Sequence, residues 1–121
     1  MVDVDSVSWD KEVLQSAVPV IVDFWAPWCP WCKRLMPDFD SLSNEFVGRL
    51  AFVKVNAEQS PDITSRYGVQ GLPTLKFFCG GRPLAEIVGY LPKPSLKTQF
   101  ETMLTNHKDC LAQSSTLETN G

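Results

Sequence analysis

The run VPVIVDFWA, Val18 to Ala26, constrains the fold more than any other part of this chain. It is continuous, apolar and of strand length. A strand that is apolar on both faces is buried on both faces, which places it in the middle of a sheet with helices on each side. Asp23 is the one charge inside it. A second buried strand, LAFVKVNAE, carries Lys54 in its interior.

The segments around these runs alternate in type. Ser8 to Ala17 predicts a short helix with Ser8 as its N-cap. Beyond the cysteines, Leu35, Phe39, Leu42 and Phe46 recur at helical spacing, and Gly48 is a natural stop. Pro37 falls inside that helix, where it removes a backbone donor and crowds the carbonyl of Lys33, so a kink is expected. SPDITSRYG predicts a short helix with Ser60 as cap and Pro61 at its first position. PTLKFF and PLAEIVG predict two strands joined through the Gly-rich turn CGGR. In PSLKTQFETML, Leu96, Phe100, Met103 and Leu104 share one helical face. A short extra strand is expected near Val2 to Val4. The order predicts one α/β domain over residues 1–107, with a mixed sheet between helical layers. A polar tail follows over 108–121, ending in QSSTLETNG, and is expected to be disordered.

Several function classes lose support at once. The net charge is −3 and the Lys and Arg residues are scattered, so no nucleic-acid footprint is present. No segment approaches the ~18 apolar residues of a membrane span. The N-terminus lacks the basic start and apolar middle of a signal peptide, so the reducing cytoplasm is the expected compartment; a monomer is expected as well. Four cysteines in 121 residues make no disulfide scaffold. The close pair, Cys29 and Cys32, is therefore more readily catalytic or metal-binding than structural.

A mononuclear zinc site needs four ligands, and the only histidine is His107. Neither Cys79, in the predicted turn, nor Cys110, in the tail, has a neighbouring ligand; both read as incidental thiols. An iron–sulfur cluster shared between two chains needs only one pair per chain, and nothing specific calls for it. No metal and no cofactor are expected. For redox chemistry the placement is apt. The pair lies where a buried strand ends and a helix begins. There, unpaired amides and the macrodipole stabilise a thiolate on Cys29. Cys32 lies about one turn further in, shielded and within bonding reach. An exposed first sulfur would attack a substrate disulfide, and the second would resolve the mixed disulfide.

The segments VDFWAPWC…CK, the embedded Lys54, GVQGLPT and VGY resemble those of the thioredoxin family in order and spacing, over about Val4 to Leu104. The resemblance implies the thioredoxin fold, a three-layer α/β/α arrangement around a mixed sheet. It also implies reduction of protein disulfides, with electrons from a thioredoxin reductase-like enzyme. Cys29 matches the attacking cysteine and Cys32 the resolving one. Asp23 matches the buried aspartate that takes the proton of Cys32, and Lys54 the lysine near it. Pro73 matches a cis-proline facing the cysteines, with the backbone of Leu72 pairing with substrate. Trp28, Gly71, Leu72, Pro73, Val88 and Gly89 then form an apolar docking surface. Trp9 and Trp25 read as packing aromatics.

The chain departs from the family between the cysteines, where Pro30-Trp31 replaces the usual Gly-Pro. The pattern is similar to the Cys-Pro-Tyr-Cys of glutaredoxins, which opens glutathione as an alternative electron source. Pro30 suits the first helical position. Moving proline away from position 31 frees the amide of Trp31 to donate to Cys29 sulfur and stabilise its thiolate. A couple more oxidising than ordinary thioredoxin is expected. Trp31 is expected either to enlarge the rim formed by Trp28 or to lie over its own helix.

Overall fold

A computed structural model of the protein describes residues 1–111. The elements in chain order are β1 (Val2–Asp3), a π-helical turn (Asp10–Leu14), β2 (Val20–Trp25), α1 (Pro30–Glu45) and β3 (Ala51–Asn56). They continue with α2 (Pro61–Arg66), β4 (Thr74–Cys79), β5 (Arg82–Val88) and α3 (Lys93–Asn106). The sheet order is β1-β3-β2-β4-β5. β1 and β2 run parallel to β3, whereas β4 is antiparallel to both β2 and β5. The sheet is mixed and β2, apolar but for Asp23, lies at its centre, as expected. Val4 extends the β1 pairing by donating its N–H to the Lys54 carbonyl at 2.8 Å.

Strand alternation divides the core into two layers. Ile21, Phe52, Leu75 and Phe77 face Leu35, Phe39 and Leu42 of α1 and Leu96, Phe100 and Met103 of α3. Val20, Val22, Phe24, Val53 and Val55 face the other way, onto Trp9, Val13 and Ile63. Each layer is built on aromatic rings in tilted or edge contact. Phe100 meets Phe46 and Phe52 at 6.0 and 5.6 Å. Trp9 meets Tyr67 and Phe78 at 5.3 Å each. Trp9 is therefore a core residue.

The β4–β5 hairpin closes through Gly80 and Gly81, both at positive φ (60° and 78°). That conformation suits glycine and matches the twist of the flanking strands. At Gly81 a side chain would also press on the Leu14 carbonyl, 3.2 Å from where its Cβ would stand.

Several local expectations need correction. Ser8 does not cap the first helical segment, which is a short π-helical turn rather than a helix to Ala17. Its hydroxyl instead accepts from the Asp5 N–H and donates to the Asp5 carboxylate, closing a local turn. Ser60 occupies the cap position of α2, but its side chain makes no capping bond; it is buried. α3 starts at Lys93, with Pro92 as its cap residue and Pro94 within its first turn.

The larger correction concerns Cys79 and Cys110. They are joined in a disulfide, with Cα atoms 6.0 Å apart across a separation of 31 residues. Both are buried in the α1–α3 layer. They are not incidental thiols, and the chain past residue 107 is packed as far as Leu111. His107 stacks on Phe77 at 5.7 Å, and Arg82 donates to the Cys110 carbonyl at 3.4 Å. One signal was available. Positions 96, 100, 103, 107 and 110 continue the helical spacing of α3, and Cys79 continues the inward alternation of Leu75 and Phe77. The tail expected to be disordered from residue 108 thus begins with Cys110 and Leu111 packed on the core, and its remainder, 112–121, lies outside the described residues.

Candidate active site

β2 delivers the chain to a tight turn at the sheet's end. Cys29 is the N-cap of α1, with extended backbone (φ −88°, ψ 109°), and Pro30 holds the first helical position. The Cys29 N–H donates to the Ala26 carbonyl at 3.2 Å. Cys29 and Cys32 are joined in a disulfide with Cα atoms 5.3 Å apart. Cys32 is fully buried and Cys29 is 4% exposed. The order of access is as expected, but in the disulfide state the outer sulfur offers only a sliver of surface.

The amide that reaches Cys29 Sγ is that of Cys32, at 3.2 Å. It is not the Trp31 amide that the sequence suggested. The cap geometry selects the residue three positions on, because that N–H points back over the first turn. The donation still favours negative charge on Cys29 sulfur when the disulfide opens.

Asp23 shares the sheet face of Ile21, beneath α1, as strand alternation requires. It is wholly buried. Neither carboxylate oxygen has a hydrogen-bond partner among the described residues. Burial pushes its pKa up to about 7, against an opposing pull from Lys54. Lys54 stands opposite Asp23 in the β2–β3 register. Its ammonium, however, is engaged elsewhere. It lies 3.3 Å from Asp3 Oδ1 and 5.5 Å from the centre of the Trp25 ring. Lys54 therefore acts on Asp23 through its field, and Asp3 and Trp25 hold it in place.

The Leu72–Pro73 peptide is cis. Leu72 packs on the small cluster formed by Ala26, Cys29 and Cys32, which sets this loop against the cysteines. Thr74 Oγ1 donates to the Gly71 carbonyl at 2.6 Å, and the Gly89 N–H to the Pro73 carbonyl at 2.8 Å. These bonds fix the residues on either side of Leu72. Its own N–H and C=O make no hydrogen bond among the described residues. Gly71 lies against Val88; a Cβ there would stand 3.9 Å from Val88 Cγ1. Trp28, Trp31 and Val88 each leave more than half of their surface exposed.

Both expectations for Trp31 hold in part. Arg34, one turn on along α1, stands over its ring at 5.5 Å, and Tyr90 lies against it at 5.3 Å. Trp31 still lines an open groove of about 330 Å³ with Leu72, Pro73, Gly89 and Tyr90. Tyr90 and Arg34 were missed as site residues. Tyr90 closes the VGY segment, and Arg34 follows Trp31 at helical spacing, so both were legible only once Trp31 had a direction. Among the described residues, no three His, Cys, Asp or Glu side chains cluster as a metal site.

The arrangement places a buried carboxyl with a raised pKa on the face covered by the helix that carries the cysteine pair, with an apolar surface and free backbone groups beside it. The sequence model of the thioredoxin family matches residues 1–102. The chain is 42% identical over 103 residues to the chloroplastic thioredoxin M-type of Spinacia oleracea, covering 85% of this chain and 57% of that protein. Against thioredoxin 1 of Nostoc sp. the identity is 41% over 97 residues, covering 80% and 91%. Against the thioredoxin of Synechocystis sp. it is 40% over 101 residues, covering 84% and 94%. The chain thus spans little more than half the length of the spinach relative.

Proposed function

The chain belongs to the thioredoxin family, and from that premise we propose that it is a thiol–disulfide oxidoreductase that reduces disulfides of protein substrates. The carrying observation is the pair itself: Cys29 caps α1, its sulfur accepts the Cys32 amide, and Cys32 is sealed one turn inside. In the reduced protein the Cys29 thiolate attacks one substrate sulfur. A mixed disulfide forms and the other substrate sulfur leaves as a thiolate. Asp23, with its raised pKa, takes the proton from Cys32, by way of a water molecule. The Cys32 thiolate attacks Cys29 Sγ, the second substrate thiol departs, and the Cys29–Cys32 disulfide remains. Two electrons from a donor restore the dithiol.

The substrate segment lies along the unpaired backbone of Leu72, against Trp28, Val88 and the Gly71–Pro73 loop. A thioredoxin reductase-like enzyme is the proposed donor. The Pro30-Trp31 dipeptide favours glutathione as the second reading. The same dipeptide supports a couple more oxidising than ordinary thioredoxin. With Trp31 rather than proline at the second position, the helix start gains one more unpaired N–H at its positive end, beside the Cys32 amide that reaches Cys29 Sγ. The protein acts as a monomer in the cytoplasm in this reading, with no nucleic-acid or membrane partner. No described helix is long and apolar enough to cross a membrane.

Two parallel assays test the proposal: reduction of a protein disulfide driven by NADPH with thioredoxin reductase, and the same reduction driven by glutathione. The first should turn over and Cys29→Ser should abolish it. Turnover only with glutathione would replace the first reading by the second. Failure of both, with Cys32→Ser trapping no mixed disulfide, would overturn the function.

A further inference from the structure

Arg34 stands over two of the rings that line the groove. Its guanidinium carbon lies 5.5 Å from the Trp31 ring centre and 5.7 Å from that of Tyr90. Both rings line the groove beside cis-Pro73. Contact with two aromatic rings restrains a side chain that is otherwise free to swing. Its N–H donors make no hydrogen bond among the described residues. Among the described residues no carboxylate lies within ion-pair distance of Arg34. Arg49 pairs with Glu101, and Lys93 and Lys97 both pair with Glu45; Lys33, also on α1, has no such partner among the described residues, but unlike Arg34 it stands over no aromatic ring. A planar cation fixed at a docking groove, with its fork of donors unsatisfied, suits a carboxylate.

On the reading that this site reduces protein disulfides, we propose that Arg34, positioned by Trp31 and Tyr90, is a specificity-determining residue. It selects substrate segments that carry an Asp or Glu side chain close to the reacting cysteine. Trp31 and Pro73 receive the apolar part of the segment, and the guanidinium takes the acid. The aromatic residue between the cysteines thereby acquires a role in partner choice: it is the platform on which the recognising cation rests. Lysine at position 34 would keep the charge and lose both the stacking geometry and the bidentate fork.

The test uses disulfide-bridged peptides that differ only in the residue following one cysteine: Glu, Gln or Lys. Second-order rates of reduction by the pre-reduced protein are measured for the wild type and for R34M, R34K and Y90L. The wild type should reduce the Glu peptide faster than the Gln peptide by about fivefold, the upper end for one exposed ion pair. The Lys peptide should be slower still. The Glu-to-Lys ratio should collapse in R34M and in about 1 M salt, where the Debye length is about 3 Å. R34K and Y90L should give intermediate ratios. A wild-type ratio near one would overturn the proposal and leave the oxidoreductase reading standing. A large ratio that survives in R34M would also overturn it, by placing the preference elsewhere. Failure to reduce any of the peptides would remove both readings together.

Discussion

Replacing Asp23 by asparagine should abolish a pH dependence written into the core. Burial raises the Asp23 pKa from 3.8 to about 7, so between those values the native state holds a proton that the unfolded chain has released. Stability therefore falls as pH rises through this window, and the full penalty is present above pH 7. The shift spans about three pH units at about 1.4 kcal/mol each, or about 4 kcal/mol in all. Asp23→Asn keeps the shape and removes the titration. Denaturant unfolding of the oxidised protein, with no cysteine titrating, isolates this group when the two curves are subtracted. Relative to the variant, the wild type should lose about 4 kcal/mol between about pH 4 and pH 8. Parallel curves would show that the carboxylate is solvated or partnered, and would remove the basis for treating it as a raised-pKa base. The kinetic counterpart is resolution of the mixed disulfide, which should rise toward a plateau as pH passes about 7 and slow by about 10²–10⁴ in the variant.

Lys54→Met removes the one attraction that restrains this shift; the midpoint of the same difference curve should move to higher pH, and a midpoint that stays put would show that Asp3 and Trp25 already neutralise its field. Closing 31 residues, the Cys79–Cys110 bridge should contribute about 3–4 kcal/mol by chain entropy. Cys79→Ala/Cys110→Ala should lower the denaturant midpoint accordingly without abolishing disulfide reduction, and an unchanged midpoint would argue that the bridge constrains nothing the core does not. Restoring Gly-Pro by Pro30→Gly/Trp31→Pro should lower the potential against a glutathione buffer by about 40–70 mV, the gap between glutaredoxins and thioredoxin. A rise or no change would show that the dipeptide does not set the poise.

What could be read along the chain rests on interactions between near neighbours. The continuous apolar run of β2, Asp23 within it and the cysteine pair at the start of α1 follow from strand and helix signals along the chain, and the structure reproduces each of them. The family resemblance added the roles of Pro73 and Leu72, residues that no local pattern singles out. Other features depended on which distant segments meet. Cys79 and Cys110 lie at the ends of elements whose approach is decided by sheet order and by the packing of α3. Tyr90 reaches Trp31 only because the chain after β5 returns beside the start of α1. Which amide serves Cys29 Sγ is a matter of cap dihedrals rather than residue type. The sequence by itself determined the chemistry: a strand, a dithiol, a helix and a buried acid. Only the tertiary structure decided the surroundings of that chemistry, namely where Lys54 is held, what rests on Trp31 and how the C-terminal turn is fastened. Those contacts form only when surfaces far apart in the chain are pressed together by burial of a common core.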